Sequence, residues 1–265
     1  MYPELFHIGP IPIRSYGVML ALAFFIGVWY VRWMTKRDGK SFESFLTIAY
    51  IMIFGGVIGG RLSYVLFHLD EFSNNWSATF NPFANEQFGI AGLNLYGGIL
   101  LALLGTWVYC KLKDISVLEV LDYFSPALGI GIAVGRIGCF LNGCCFGTPT
   151  ELPWGISFPV GSIPYSIFGD LHLHPSQIYS SLYGLGLFIL LHYLLKHRKF
   201  PGFPVGILLM VESVFRIAIE YVRYYEDAMY FSIGDISITY NYLIAISLFI
   251  LGLMILIFNY KKKRI

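Results

Sequence analysis

Tyr240-Asn-Tyr-Leu-Ile-Ala-Ile-Ser-Leu-Phe-Ile-Leu-Gly-Leu-Met-Ile-Leu-Ile-Phe-Asn-Tyr260 carries no charge, and Lys261, Lys262, Lys263 and Arg264 follow it directly. A hydrocarbon core about 30 Å thick takes roughly 20 apolar helical residues to cross. Cytoplasmic loops of membrane proteins are rich in Lys and Arg. The stretch therefore reads as a span that leaves the bilayer on the cytoplasmic side. Six further stretches read the same way: Tyr16–Met34, Phe45–Leu69, Ala91–Cys110, Leu118–Gly135, Ile178–Leu195 and Val205–Val222. The whole chain agrees, with 57% hydrophobic and 13% charged residues, against about a quarter charged in soluble domains. Such a composition excludes intrinsic disorder. A net charge of +2 excludes a broad nucleic-acid-binding surface. The expected fold is all-α, a polytopic integral membrane protein with seven transmembrane helices in one domain over residues 1–265. Outer loops near 70–90 and 148–175 are expected to rest on the membrane surface, given their Trp, Phe and Pro content.

Basic residues set the orientation. Arg32, Lys36, Arg37 and Lys40 end the first span, Lys111 and Lys113 the third, and Lys196, Arg198 and Lys199 the fifth. With the Lys261–Arg264 run they fall on one side, read as cytoplasmic. The opposite loops hold Asp70, Glu71, Glu86, Glu151, Asp170, Glu226, Asp227 and Asp235. The N-terminus is then outside and the C-terminus cytoplasmic. The first span has its charges after the apolar run and no small-residue cleavage site, so it reads as a retained span rather than a secretory signal.

The remaining basic residues are Arg14, Arg61, Arg136, Arg216 and Arg223, all arginine and all in or near the outer half of a span. A cation near the centre of a membrane helix costs at least about 2.5–3.5 kcal/mol and usually marks function. Guanidinium presents a planar fork to phosphate or carboxylate oxygens. The cluster points to an anionic headgroup. The alternative is that these arginines lock helices together through Asp122, Glu212 and Glu220.

Several segments could carry chemistry. Glu212, Arg216, Glu220 and Arg223 recur at helical spacing in one stripe, which cannot face lipid. Gly135-Arg136-Ile-Gly138-Cys139-Phe-Leu-Asn142-Gly143-Cys144-Cys145-Phe-Gly147 closes the fourth span with a glycine-rich backbone able to turn towards an anion. His174-Pro-Ser-Gln177-Ile-Tyr179 opens the fifth, with Ser176 the expected N-cap of a helix whose start favours anions. Asn94-Leu-Tyr96-Gly97-Gly98 lies in the outer part of the third. A phenol among arginines is biased towards phenolate, which makes Tyr96 a candidate proton acceptor; a simple interfacial tyrosine is the alternative.

Taken in order, these segments, with Ile8-Gly-Pro-Ile-Pro-Ile-Arg14-Ser-Tyr16-Gly17, Gly59-Gly60-Arg61-Leu-Ser-Tyr64 and Phe215-Arg216-Ile-Ala-Ile-Glu220-Tyr-Val-Arg223, resemble the prolipoprotein diacylglyceryl transferase family over nearly the whole chain. The resemblance implies a multi-pass enzyme of the bacterial inner membrane. It would take diacylglycerol from phosphatidylglycerol and attach it to the lipobox cysteine of a lipoprotein precursor, at its signal peptide. A thioether forms, glycerol phosphate leaves, and no cofactor or metal is used. It further implies that Arg136 and Arg216 hold the lipid phosphate and that Tyr16 is required. Tyr96 stands where a histidine, proposed as base, is usual. Catalytic candidates are thus Arg136, Arg216, Tyr96 and Tyr16. Substrate-binding candidates are Arg136, Arg216, Arg61, Gly97, Gly98, Asn142, Gly147, His174, Gln177, Glu220 and Arg223.

The chain departs from the family pattern at Cys139 (usually Asn), Cys144 (usually Glu), Ser180 (usually Glu) and Glu212 (often Tyr). Cys139, Cys144 and Cys145 read first as structural, packed or bridged Cys139–Cys144 or Cys139–Cys145 on an oxidising outer side. A metal site is the weaker reading, since C-x4-C-C has no histidine nearby in sequence. Cys110 faces the cytoplasm and packs. Two other functions fit less well. One is a catalytically silent lipid-binding paralogue. The other is an anionic-solute transporter, for which the expected internal repeat is missing.

Overall fold

The computed structural model describes all residues except 10, 73–75, 80–91, 226–229, 234–235 and 265. Glu86, Glu226, Asp227, Asp235 and most of the expected 70–90 cap lie outside the described residues, as does the predicted start of the third span at Ala91. Two short strands, β1 (Glu4–Ile8) and β2 (Ile11–Arg14), precede α1 (Ser15–Arg37). Then come α2 (Phe42–Phe67), α3 (Leu69–Phe72), a 3-10 turn at Trp76–Thr79, α4 (Leu95–Leu112) and α5 (Val117–Asn142). The chain continues through α6 (Ile163–Phe168), α7 (Ser176–Lys196), α8 (Phe203–Glu220), the strands β3 (Tyr230–Ile233) and β4 (Ile236–Thr239), and α9 (Tyr240–Arg264). The fold is mostly helical rather than all-α: β3 and β4 pair antiparallel, with Tyr230 opposite Thr239.

Among the described residues, six helices are long and apolar enough to cross a membrane: Ser15–Arg37, Phe42–Phe67, Leu95–Leu112, Val117–Asn142, Ser176–Lys196 and Tyr240–Lys261. Their apolar side chains point outward. Phe25, Trp29, Phe54, Leu100, Leu182 and Phe258 are exposed, while Asp122, Ser176 and Gln177 are buried. That inversion suits a solvent of acyl chains, where polar groups must be satisfied internally. Hydroxyls do so locally: Thr35 and Thr106 donate to the carbonyls of Val31 and Ala102, each at 2.8 Å. The stretch expected as the sixth span is α8. Glu212, Arg216 and Glu220 leave it outside the set of six. The helix stops at Glu220, so Arg223 lies beyond the stripe to which its spacing assigned it.

The chain forms two compact units, Met1–Ile8 with Ile13–Tyr30 and Leu121–Ile265, and Gly9–Pro12 with Val31–Val120. In the second, α2 and α4 pack through glycine. A Cβ on Gly97 would run into Ser63 Cβ and come within 2.6 Å of Gly59 O, and one on Gly98 would lie 2.6 Å from Gly56 O. Membrane helices lack a hydrophobic drive towards one another, so close backbone approach through small residues supplies the contact.

In the first unit, Pro126 interrupts α5. Proline cannot donate to the carbonyl four residues back; here Ser125 Oγ donates to that Asp122 carbonyl instead, at 2.8 Å. The Asp122 carboxylate accepts from Gly202 N at 2.8 Å and Val205 N at 3.2 Å, capping the start of α8. The expected outer segment 148–175 is folded. Bridges join Pro149 and Ile156 to Leu173, and Phe146, Phe158 and Leu173 form a small core with Met1, Phe168 and Tyr224.

Candidate functional site

The site of the first unit begins where α1 meets α5. A Cβ on Gly138 would press on Met19 Cβ at 3.0 Å and Tyr16 Cα at 3.3 Å, so a bare glycine lets the two helices close here. Tyr16 is thereby set among Cys139, Cys144 and Cys145, in the field of Arg136. Arg136 is partly buried and makes no hydrogen bond or ion pair with any described residue.

Past Asn142, whose side chain acts on the Cys144 thiol, the chain folds back on itself. Cys145 adopts φ +61°, a region non-glycine residues seldom enter. The first turn of α7 fixes this loop. Ser176 Oγ donates to Cys145 O at 2.7 Å, and Gln177 Nε2 donates to Cys144 O at 2.8 Å. Ser176 is the first helical residue, after Pro175 as N-cap, so its hydroxyl serves the cysteine loop and not the cap that its position suggested. Gln177 is buried, and its Oε1 has no partner among the described residues. The sulfurs of Cys139, Cys144 and Cys145 all lie within 4.8 Å of one another as free thiols. The Cys139 and Cys144 thiols hold Cys145 well below the usual thiol range, and the guanidiniums of Arg223 and Arg136 add to the effect.

Gly147 and Arg223 form a β-bridge, and a Cβ on Gly147 would meet Val222 O and His174. The Arg223 guanidinium sits 4.9 Å from the centre of the Tyr225 ring, with its buried Nε unpartnered among the described residues. Tyr225 OH donates to Glu220 Oε1 at 2.5 Å, and Thr239 Oγ1 donates to Glu220 Oε2 at 2.6 Å. Burial pushes the Tyr225 phenol up, keeping it a donor. Arg216 Nε lies 3.5 Å from Glu220 Oε1. The charges of Arg223 and Arg136 both act on the Cys145 thiol, and those of Arg223 and Arg216 on the Tyr225 phenol. Among the described residues, only Glu220 forms an ion pair with any of the three arginines.

The other expected residues fall as follows. His174 packs beside Gly147, with Nδ1 3.4 Å from Tyr179 OH, which in turn accepts from Trp154 Nε1 at 2.7 Å. Glu212 accepts from Tyr183 OH at 2.7 Å. Arg61, Tyr96, Gly97 and Gly98 belong to the second unit. There Arg61 is buried, its Nε donates to Thr79 O at 2.5 Å and its Nη1 to Gly92 O at 3.2 Å, and its guanidinium lies over Tyr64 and Phe72. Tyr96 is half exposed at the start of α4, with its backbone N–H on the Asn94 side chain. Sequence reasoning missed Tyr225 and Thr239 as the holders of Glu220. No spacing rule would have found them, since both lie beyond the helix that carries the carboxylate.

Among the described residues, Arg136 has no ion pair and Arg216 is held by Glu220 alone, which leaves guanidinium charge that suits an anionic group. A sequence model described as prolipoprotein diacylglyceryl transferase matches residues 3–258. A Clostridium tetani protein named phosphatidylglycerol–prolipoprotein diacylglyceryl transferase is 34% identical over 224 residues, spanning 84% of this chain and 86% of its own. Proteins of the same name from Nitratidesulfovibrio vulgaris and Pseudoalteromonas translucida are 32% and 30% identical, spanning 97% and 98% of this chain and 93% of their own lengths.

Proposed function

The chain belongs to the prolipoprotein diacylglyceryl transferase family, and from that premise we propose that it transfers diacylglyceryl from phosphatidylglycerol to the cysteine thiol of a lipoprotein precursor, at its signal peptide, in the bacterial inner membrane. The thiol attacks as thiolate. A C–S bond forms at the glycerol carbon, the C–O bond to phosphate breaks, and glycerol phosphate leaves. The phosphodiester begins with one negative charge and departs as a monoester with a second. Guanidiniums preset around that phosphate stabilise the added charge in the transition state.

In this reading Arg136 and Arg216 grip the phosphate, Arg223 extends the positive surface, and Glu220 aims Arg216. Tyr96 is the candidate to take the thiol proton, and Tyr16 is required beside Arg136. Arg61, Gly97 and Gly98 are the substrate-binding residues of the second unit. Asn142, Gly147, His174 and Gln177 shape the loop after Arg136. α8 is the sixth of seven crossings, with the N-terminus outside, the C-terminus in the cytoplasm and the cluster on the outer side.

One observation carries the proposal: Arg136 is a half-sheltered guanidinium with no ion pair among the described residues, and its charge acts on the same Cys145 thiol as that of Arg223. The test is purified protein in phosphatidylglycerol vesicles with a synthetic lipobox peptide, read by mass spectrometry. Peptide gaining diacylglyceryl, and losing that gain in Arg136→Ala and Arg216→Ala, supports it. Unmodified peptide with a folded protein overturns it and leaves the silent lipid-binding paralogue.

A further inference from the structure

Cys139 and Cys144, which depart from the family pattern, and Cys145 beside them do more than close a helix. Cys139 ends its side chain in the last turn of α5, Cys144 follows two residues after that helix, and Cys145 turns back at φ +61°. A non-glycine residue in that region is strained, and such strain persists only where the surroundings over-determine it. Here the surroundings are Ser176 and Gln177, which pin the carbonyls of Cys145 and Cys144. The result is three sulfurs mutually within 4.8 Å. A disulfide would use two of them and leave the third idle. A d10 cation uses all three: with Zn–S near 2.3 Å, thiolates around a tetrahedral zinc stand about 3.8 Å apart. That separation needs only small inward shifts.

We infer that Cys139, Cys144 and Cys145 form a three-thiolate site for a thiophilic d10 metal ion, with zinc the probe of choice, and with the fourth position left to water. Loading releases the three thiol protons to solvent and forms three metal–sulfur bonds, with no change of oxidation state. A divalent ion on three thiolates carries one net negative charge, and Arg136, three residues before Cys139 on α5, and Arg223, bridged to Gly147 two residues after Cys145, bring positive charge to this loop. The site borders the proposed phosphate cluster, beside Tyr16 and Arg136, but metal binding is read directly and its test does not depend on transfer activity.

The experiment uses the full chain in detergent, reduced and then freed of reductant without air. Titration with Co²⁺ is expected to reach one equivalent and to develop a sulfur-to-cobalt charge-transfer band that Zn²⁺ displaces. Cys139→Ser, Cys144→Ser and Cys145→Ser each remove the band, and Cys110→Ser keeps it. Should those variants fail to fold, the unaltered protein answers the question through alkylation. Zn²⁺ is expected to slow iodoacetamide labelling of these three cysteines at least tenfold. Reduced protein that shows no cobalt–thiolate band and no protection by Zn²⁺ overturns the inference, whether or not two of the thiols were joined beforehand. A band that survives all three substitutions does the same.

Discussion

Arg216 Nε stands 3.5 Å from Glu220 Oε1, one turn along α8, and the carboxylate of that pair is held from its other side by Tyr225 and Thr239. Glu220 is almost wholly buried and Arg216 is about a quarter exposed. The anchored partner is therefore the acid, and the cation is the one aimed outward. Glu220→Gln keeps the shape and removes the charge that orients Arg216. Hydrogen bonds to charged groups are worth about 1.5–3 kcal/mol, so transfer is expected to fall about 10- to 100-fold. The fall should appear mainly as a raised KM for phosphatidylglycerol. An unchanged KM would mean that the pair only ties α8 to the segment after it.

Arg136 differs, because nothing described restrains it. Arg136→Ala is expected to lower transfer about 10²- to 10³-fold, the range seen when one preset charge-stabilising donor is removed. The thermal midpoint should hardly move, since no hydrogen bond or ion pair to a described residue is lost. Arg136→Lys keeps the charge but not the fork, and should recover only part of the rate. Parallel rate and denaturation measurements on the two variants check this.

The α2–α4 seam gives a stability test away from the cations. Gly97→Ala drives a methyl into Ser63 and the Gly59 carbonyl, and overpacking of this kind typically costs about 1–3 kcal/mol. Gly186→Ala, with nothing within 4 Å of its would-be Cβ, is the matched control. A clearly lower thermal midpoint for the first variant and an unchanged one for the second is the expected pattern. Equal midpoints would show that the seam yields.

Spacing and hydropathy made the six spanning helices legible, because length and apolarity are one-dimensional properties. They also exposed the unusual arginines, since a charge in an apolar run stands out. What lay hidden depends on backbone direction. Arg223 reads as the end of a helical stripe only if α8 continues, and instead the chain leaves at Glu220 to pair with Gly147. The cysteine spacing says nothing of a left-handed Cys145, without which the sulfurs would not meet. Arg61 resembles the other outer arginines in sequence, yet it donates to the carbonyls of Thr79 and Gly92. The β3–β4 pair was readable and overlooked: Phe231-Ser-Ile233 and Ile236-Ser-Ile238 alternate with a period of two around Gly234-Asp235.

Asp122 tests whether the foot of α8 governs the cations at its head. Its carboxylate is buried and accepts from Gly202 N and Val205 N, two of the donors that a helix start leaves without partners. Asp122→Ala strips both acceptors from a site where water has no ready entry. Each orphaned buried donor costs about 1–3 kcal/mol, so the variant is expected to lose roughly 2–4 kcal/mol of stability. Asp122→Asn retains one carbonyl oxygen and should lose about half as much. α8 carries Arg216 near its far end, so loosening its start is also expected to raise KM for phosphatidylglycerol while the rate at saturating lipid falls less. Denaturation and KM measured on both variants decide the matter: a destabilised protein with normal KM would mean that α8 is held in place by its packing on α9 alone.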